Sequence, residues 1–408
     1  MRLLTLSSQA ARAARACAIA LGFTIPVSVA LDNVLLAAIL ALWLASLNYR
    51  ATFALLGNHR VALVALALFG FFVIGLAWNT SGIDAGLHMV AKYIDLAFVP
   101  IFVTLFQTER DRRRALLAFA AALVLTLVLS YMTWAGLIPT HVFVTSPQDQ
   151  PEVFKKYLTQ NILMAFGAFL FAHFALSARS SRVAWSVLAL LAAINVALIV
   201  PGRSGQLILA VLAVFFAHSL WRWAGALLAT AGVATFGAAL ILGLAPVNSR
   251  LALLPEEWNT WHPSVDSQTS MGQRLGYFHN SLLIIRDHPV IGVGTGGFSR
   301  AYADQVAGTT LEPTVNPHNE YLNVTVQLGV IGLGVLLYLF YSIWRLAPAL
   351  PSAFELCLAR GLIITIALGC LLNSLLMDHV EGLFFAWGTG MLFAGLKSQT
   401  TKKEAAAP

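Results

Sequence analysis

Residues 107–134 read QTERDRRRALLAFAAALVLTLVLSYMTW. Six of the first eight residues are charged, and then no charge appears from 115 to 138. A helix of about 20 apolar residues spans the roughly 30 Å hydrocarbon layer of a bilayer, and a basic cluster at its edge marks the cytoplasmic side. Working outward, comparable apolar runs fall near 15–31, 33–47, 61–78, 85–106, 158–178, 183–200, 205–221, 224–245, 320–344, 354–376 and 380–396, which with 115–138 makes about twelve. The 408 residues are 59% apolar and 11% charged, where a soluble domain averages about 45–50% and 25%. So little charge cannot cover so much apolar surface in water. A soluble enzyme, a disordered chain, a disulfide scaffold and a coiled coil are excluded. The expected fold is an all-α polytopic membrane protein with about 12 transmembrane helices and one large outer loop containing short helices.

The net charge of +7 is sorted by side rather than gathered in a patch. With the N-terminus inside, seventeen of the 25 Lys and Arg residues fall in inner segments and eight in outer ones, while 14 of the 18 acidic residues fall outside. The basic excess therefore orients the chain, and both termini are expected in the cytoplasm. Membrane lipid is an expected partner and nucleic acid is not. The first run follows Arg12 and Arg15 and ends at Ser28-Val29-Ala30, so it also reads as a cleavable signal; cleavage leaves the parity of the later spans unchanged. Cys17, Cys357 and Cys370 sit in or beside apolar runs and offer neither an outer disulfide nor zinc-ligand spacing.

The chain divides into transmembrane helices 1–9 over 1–245, an outer loop domain over 246–319, transmembrane helices 10–12 over 320–396 and a cytoplasmic tail over 397–408. The outer loop is the only long stretch of water-soluble composition, and loops of that length are usually functional. Inside it, Ser270 and Gln273 form an S-x-x-Q capping-box pattern, followed by Leu275, Phe278, Leu282 and Ile285 at helical spacing and a stop at Asp287-His288-Pro289. Arg274 then falls in the first turn, where a cation opposes the helix dipole. Such an arginine is either solvated or has an anion to hold. Residues 289–298, PVIGVGTGGF, look superficially like a dinucleotide fingerprint, but they follow a helix and lack a surrounding βαβ unit. A tight turn against a ligand or another segment is the better reading.

Two further places look chemical. The turn Pro201-Gly202-Arg203-Ser204-Gly205-Gln206 puts Arg203 at the outer mouth of the bundle where a helix begins, with Ser204 and Gln206 beside it. Free N–H groups next to a guanidinium suit a phosphate; the alternative is an arginine snorkelling to headgroups. The second place is Asn316-Pro317-His318-Asn319-Glu320-Tyr321. Asn316 suits an N-cap and Pro317 the first helical position. That places His318 in the first turn, where the dipole keeps imidazole neutral, as a general base requires. Asn319, Glu320 and Tyr321 are candidate orienting partners. Lys92, near an outer span end, is a candidate for phosphate or glycan. Lys155 and Lys156 suit acidic phosphates or headgroups, and Trp258, Trp261 and His262 suit a sugar-stacking surface or an interfacial belt. Asp378, His379 and Glu381 leave a metal reading open beside the simpler one of capping span ends.

These residues carry a resemblance. G-R-S-G in a short outer turn, M-G-Q-R followed by H-P-V-I-G-V-G-T-G-G-F, and N-P-H-N-E-Y-L followed by Q-L-G-V-I-G-L are similar to the O-antigen ligase family of bacterial inner-membrane proteins, a group that includes polymerases and protein oligosaccharyltransferases. The motif similarity covers roughly 200–335. It implies that the outer face is periplasmic, so that the large loop is a periplasmic loop. It also implies transfer of a glycan from undecaprenyl pyrophosphate to a sugar hydroxyl of lipid A–core. Carried over, Arg203 and Arg274 would bind the pyrophosphate and His318 would activate the acceptor, in one inverting displacement. No cofactor is expected, and metal independence is expected because no D-x-D stands in an outer segment. An O-antigen polymerase is the alternative activity; a lipid-linked glycan transporter is the alternative from another class.

Overall fold

The structure, a computed structural model, describes residues 2–46, 49–143, 150–200, 202–241 and 269–396. The first part of the expected loop, 246–268 with Trp258, Trp261 and His262, and the tail 397–408 lie outside the described residues.

Every regular element among the described residues is helical. In chain order they are α1 (Arg2–Val27), α2 (Val29–Ala45), α3 (Tyr49–Gly57), α4 (Arg60–Ile74), α5 (Ile83–Lys92), α6 (Asp95–Leu105), α7 (Glu109–Trp134), α8 (Tyr157–Ser177), α9 (Arg182–Ile194), α10 (Arg203–Ile241), α11 (Ser270–Asp287), α12 (Phe298–Val306), α13 (Glu320–Leu346), α14 (Ala353–Leu372) and α15 (His379–Phe393). The helices begin where the sequence supplies a capping oxygen. Thr108 opens α7 by accepting from the Asp111 N–H at 3.2 Å while its hydroxyl donates to Asp111 Oδ2 at 2.6 Å. Ser28 opens α2 by accepting from Leu31 N, and Ser352 opens α14 by accepting from Glu355 N. Each cap satisfies an N–H that has no partner within its helix.

Nine helices among the described residues are long and apolar enough to cross a membrane. The difference from twelve has three sources. The runs at 205–221 and 224–245 share α10 as two helices that meet at a sharp break, where Trp221 and Arg222 leave helical geometry (Arg222 φ 51°) and a Cβ at Gly225 would sit 2.3 Å from the Ala217 carbonyl oxygen. The runs at 33–47 and 380–396 form α2 and α15, which have only 17 and 15 residues.

The core is built from rings and close-packed backbone. Phe119 stacks on Phe384 with centroids 5.3 Å apart, and Trp387 packs against Phe106 and Phe119. The Trp387 indole N–H donates to the Ala18 carbonyl at 2.9 Å, tying α15 to α1. Lipid tails are as apolar as these side chains, so packing and interhelical hydrogen bonds hold the bundle together. At the end rich in arginine, Arg112 Nε donates to Glu355 Oε1 at 2.7 Å and Nη1 donates to the Phe106 carbonyl, joining α7 to α14. One member of the basic cluster at 109–114 is thus a buried structural ion.

A second break organises the opposite end. Inside α13, Gly329 takes φ 65° and ψ −168°, a region that essentially only glycine tolerates. The glycine-rich segment lies against this break: Val293 and Gly294 N–H donate to the Val326 and Gln327 carbonyls, and Val330 N–H donates to the Pro289 carbonyl, all at 2.9 Å. A Cβ at Gly329 would sit 2.0 Å from the Val290 carbonyl oxygen. The turn at 289–298 therefore meets another segment of the chain.

Candidate active site

Arg203 is the first residue of α10, as the sequence leads one to expect. Its turn is fixed from α8. Asn161 Nδ2 donates to the Val200 carbonyl at 2.5 Å, and a Cβ at Gly205 would come within 2.7 Å of Asn161 Cβ. The G-R-S-G pattern thus lets α10 start in close contact with α8. Ser204 is buried, and Gln206 Nε2 donates to the Ala197 carbonyl at 3.0 Å. Both hold the turn.

Arg274 lies on α11. That helix opens at Thr269, whose hydroxyl oxygen accepts from Gly272 N at 3.1 Å, one residue before the expected cap. Arg274 is accordingly the fifth helical residue rather than a first-turn residue, and it has left the region where the dipole acts most strongly. Burial lowers the guanidinium's pKa, as does the charge of Arg203, while Tyr157 at the start of α8 opposes them. No carboxylate among the described residues lies within salt-bridge distance of Arg274. A guanidinium on which the charge of a second one bears in this way offers, with it, a field for an anion with more than one charge.

His318 also differs from its expected placement. Asn319, not Asn316, caps α13, accepting from Leu322 N at 3.0 Å, and the helix starts at Glu320. His318 therefore precedes the helix, in left-handed backbone with φ 53°. Its N–H donates to Asn316 Oδ1 at 2.8 Å, and its Nδ1 is 3.2 Å from Asn373 Oδ1. The Tyr277 ring on α11 stacks on the imidazole with centroids 5.9 Å apart. Burial lowers the His318 pKa, the Asn373 hydrogen bond opposes this, and the charge of Arg274 lowers it further. The neutral ring is favoured by desolvation and a neighbouring cation rather than by a helix dipole.

The neighbours of His318 in sequence serve the frame. Asn319 Nδ2 donates to the Leu371 carbonyl at 3.0 Å and Tyr321 Oη to the Ala367 carbonyl at 2.8 Å. Glu320 is fully buried and points into the bundle, where Oε1 accepts from Tyr93 Oη at 2.5 Å and Oε2 from Leu376 N at 3.0 Å. From there Asn323 Nδ2 donates to Tyr93 Oη at 2.9 Å, Gln327 Nε2 to Asn323 Oδ1 at 2.9 Å, and Gly296 N to Gln327 Oε1 at 2.7 Å. This chain of bonds welds the glycine-rich turn to α13.

Lys92 faces Asp378, whose carboxyl is raised by burial and lowered by that lysine. Lys155 is nearly enclosed, 7% exposed. Its ammonium is lowered by burial and raised by Asp32 and Glu381, so it faces buried carboxylates rather than solvent or an acceptor's phosphates. His379 Nδ1 lies 3.8 Å from Asp95 Oδ2, and the described residues contain no group of three or more His, Cys, Asp and Glu placed to hold a metal ion. Tyr157, Tyr277 and Asn373 escaped the sequence reading. Tyr277 stands three residues after Arg274, on the same helical face, which is a usable signal. Asn373 stands 55 residues from His318 and has none.

One end of the helical bundle thus brings the charge of Arg203 to bear on Arg274, and that of Arg274 on a desolvated histidine, an arrangement suited to an anionic group. Residues 167–337 match the family model Wzy_C, O-antigen ligase. That stretch contains Arg203, Arg274 and His318, and members of the family are glycosyltransferase-like enzymes. No curated protein matches the chain.

Proposed function

We propose that this protein is an O-antigen ligase of the bacterial inner membrane, transferring a glycan from undecaprenyl pyrophosphate to a sugar hydroxyl of lipid A–core on the periplasmic side. The observation that carries the reading is that residues far apart in the chain bear on one another in sequence, the charge of Arg203 on Arg274 and that of Arg274 on His318. The arginines hold the pyrophosphate and stabilise the charge that grows on its oxygen as the anomeric C–O bond breaks. The acceptor oxygen attacks the opposite face of that carbon, and its proton passes to His318. The carbon inverts, the glycan is joined to the acceptor, and undecaprenyl pyrophosphate departs. A pyrophosphate leaves without prior protonation, so the site needs no carboxylate pair of the glycosidase kind.

The test is reconstitution of the purified protein with lipid-linked glycan and rough lipopolysaccharide. Glycan-capped lipopolysaccharide should form, in the presence of EDTA as well as without it. His318→Ala should abolish the product and leave lipid-linked glycan unspent; normal capping by that variant would overturn the assignment. The family domain extends to the ligase/polymerase superfamily. Elongation of lipid-linked glycan without lipid A–core would therefore assign a polymerase instead.

A further inference from the structure

The link between α14 and α15 grips the histidine turn at two points. Ser374 Oγ donates to Asn316 Oδ1 at 2.7 Å, and that same oxygen accepts the His318 N–H at 2.8 Å. One residue earlier, Asn373 closes α14 by donating its N–H to the Gly369 carbonyl at 2.9 Å and sets its side-chain oxygen 3.2 Å from His318 Nδ1. Asn373 is 3% exposed, and its Nδ2 has no hydrogen-bond partner among the described residues. Its amide is therefore committed to the imidazole alone. A left-handed backbone costs a non-glycine residue about 1–3 kcal/mol and persists only where the surroundings enforce it. At His318 the surroundings are Asn316, Ser374, Asn373 and the stacked Tyr277 ring.

We propose that Asn373 is a positioning residue that holds neutral His318 as the Nδ1–H tautomer and leaves Nε2 bare to take the acceptor's proton. A neutral imidazole has one N–H, and the partner of one nitrogen decides which nitrogen carries it. In water the Nε2–H form is preferred, so the base-competent form requires an acceptor opposite Nδ1. An amide oxygen supplies that acceptor without adding charge. After transfer, the imidazolium keeps its Nδ1–H bond to Asn373 while Nε2 holds the proton from the hydroxyl. The catalytic consequence rests on the transferase reading above; the tautomer itself does not.

Two measurements separate the two. Protein labelled with 15N in its histidine rings, placed in nanodiscs without substrate and compared with His318→Gln, should show His318 with Nδ1 protonated and Nε2 bare. In Asn373→Ala the signal should move toward the Nε2–H form. A wild-type Nε2–H signal overturns the proposal whether or not any variant folds well. In the reconstituted reaction, Asn373→Ala should lower kcat about 10- to 100-fold, the usual scale for a group that orients a ligand or base, with KM for the lipid-linked donor nearly unchanged. Asn373→Asp should move the acid limb of kcat/KM upward by about 1 pH unit or more, because a carboxylate favours the imidazolium. An unshifted limb and an unchanged kcat overturn the positioning role. The expected tautomer together with a fully active His318→Ala variant would overturn the role of His318 as base, and the expected tautomer with no transfer by the wild type would overturn the transferase reading alone.

Discussion

At the scale of single residues, chemistry at this site follows from what surrounds each charge. His318 is lowered from its ordinary value of 6.5 by burial and by Arg274. A base whose pKa is depressed stays deprotonated at more acid pH, so the acid limb of kcat/KM should lie below pH 6.5. A limb at or above that value would contradict the environment described. The same shift has a stability sign. As pH falls through 6.5, the unfolded chain takes up a proton before the folded one does, so His318 contributes to a loss of stability on the acid side. For the arginines the expectation is functional. Arg274→Ala should cost about 100- to 1,000-fold in kcat if it stabilises leaving-group charge. Arg203→Lys should recover only part of wild-type activity, since an ammonium cannot grip two phosphate oxygens in a plane. Steady-state kinetics in the reconstituted system checks both.

At the scale of elements, the broken helix α13 and the glycine-rich turn form one unit. Gly329→Ala combines a backbone region that costs about 1–3 kcal/mol for other residues with a clash against the Val290 carbonyl. It should lower the apparent melting temperature in detergent, and activity with it; a variant as stable as wild type would show that the break can be repacked. Lys155 makes a parallel case on the strap leading into α8. Lys155→Met should also lower the melting temperature, because the ammonium is the cation facing Asp32 and Glu381 and unpaired buried carboxylates are costly.

How far these elements were legible depended on whether the signal was local. Runs of apolar residues and the stop at Asp287-His288-Pro289 are local, and the helices follow them. Two residues compete for the cap of α13, because Asn316 and Asn319 are both good capping residues. What decides between them is that Asn316 is engaged by Ser374, a contact 58 residues away. Contacts equally remote or more so hide Asn373, 55 residues from His318, and the inward turn of Glu320, whose partners Tyr93 and Leu376 stand 227 and 56 residues away.

At the scale of the whole molecule, the sorting of charges predicts which face of the bilayer the site occupies. A single cysteine placed at Gly308, between α12 and α13, in a chain lacking Cys17, Cys357 and Cys370, should react in intact spheroplasts with a maleimide that cannot cross membranes. One placed at Arg113 should react only after lysis. The reverse pattern would invert the topology and put the histidine on the cytoplasmic side. The gathering of Arg203, Arg274 and His318 was legible as a list of unusual polar residues at span ends. Their proximity was not, because it depends on α8, α11 and the α14–α15 link meeting at one end of the bundle.

The grip of Asn373 and Ser374 on the histidine turn also has a consequence in time. Membrane helices enter the bilayer in the order of their synthesis, and both arginines and the histidine are made before α14. A chain halted after α13 would hold Arg203, Arg274 and His318, yet it would lack the amide that faces the imidazole and the hydroxyl that secures its turn. The histidine turn therefore takes its final set only once the link between α14 and α15 is in place.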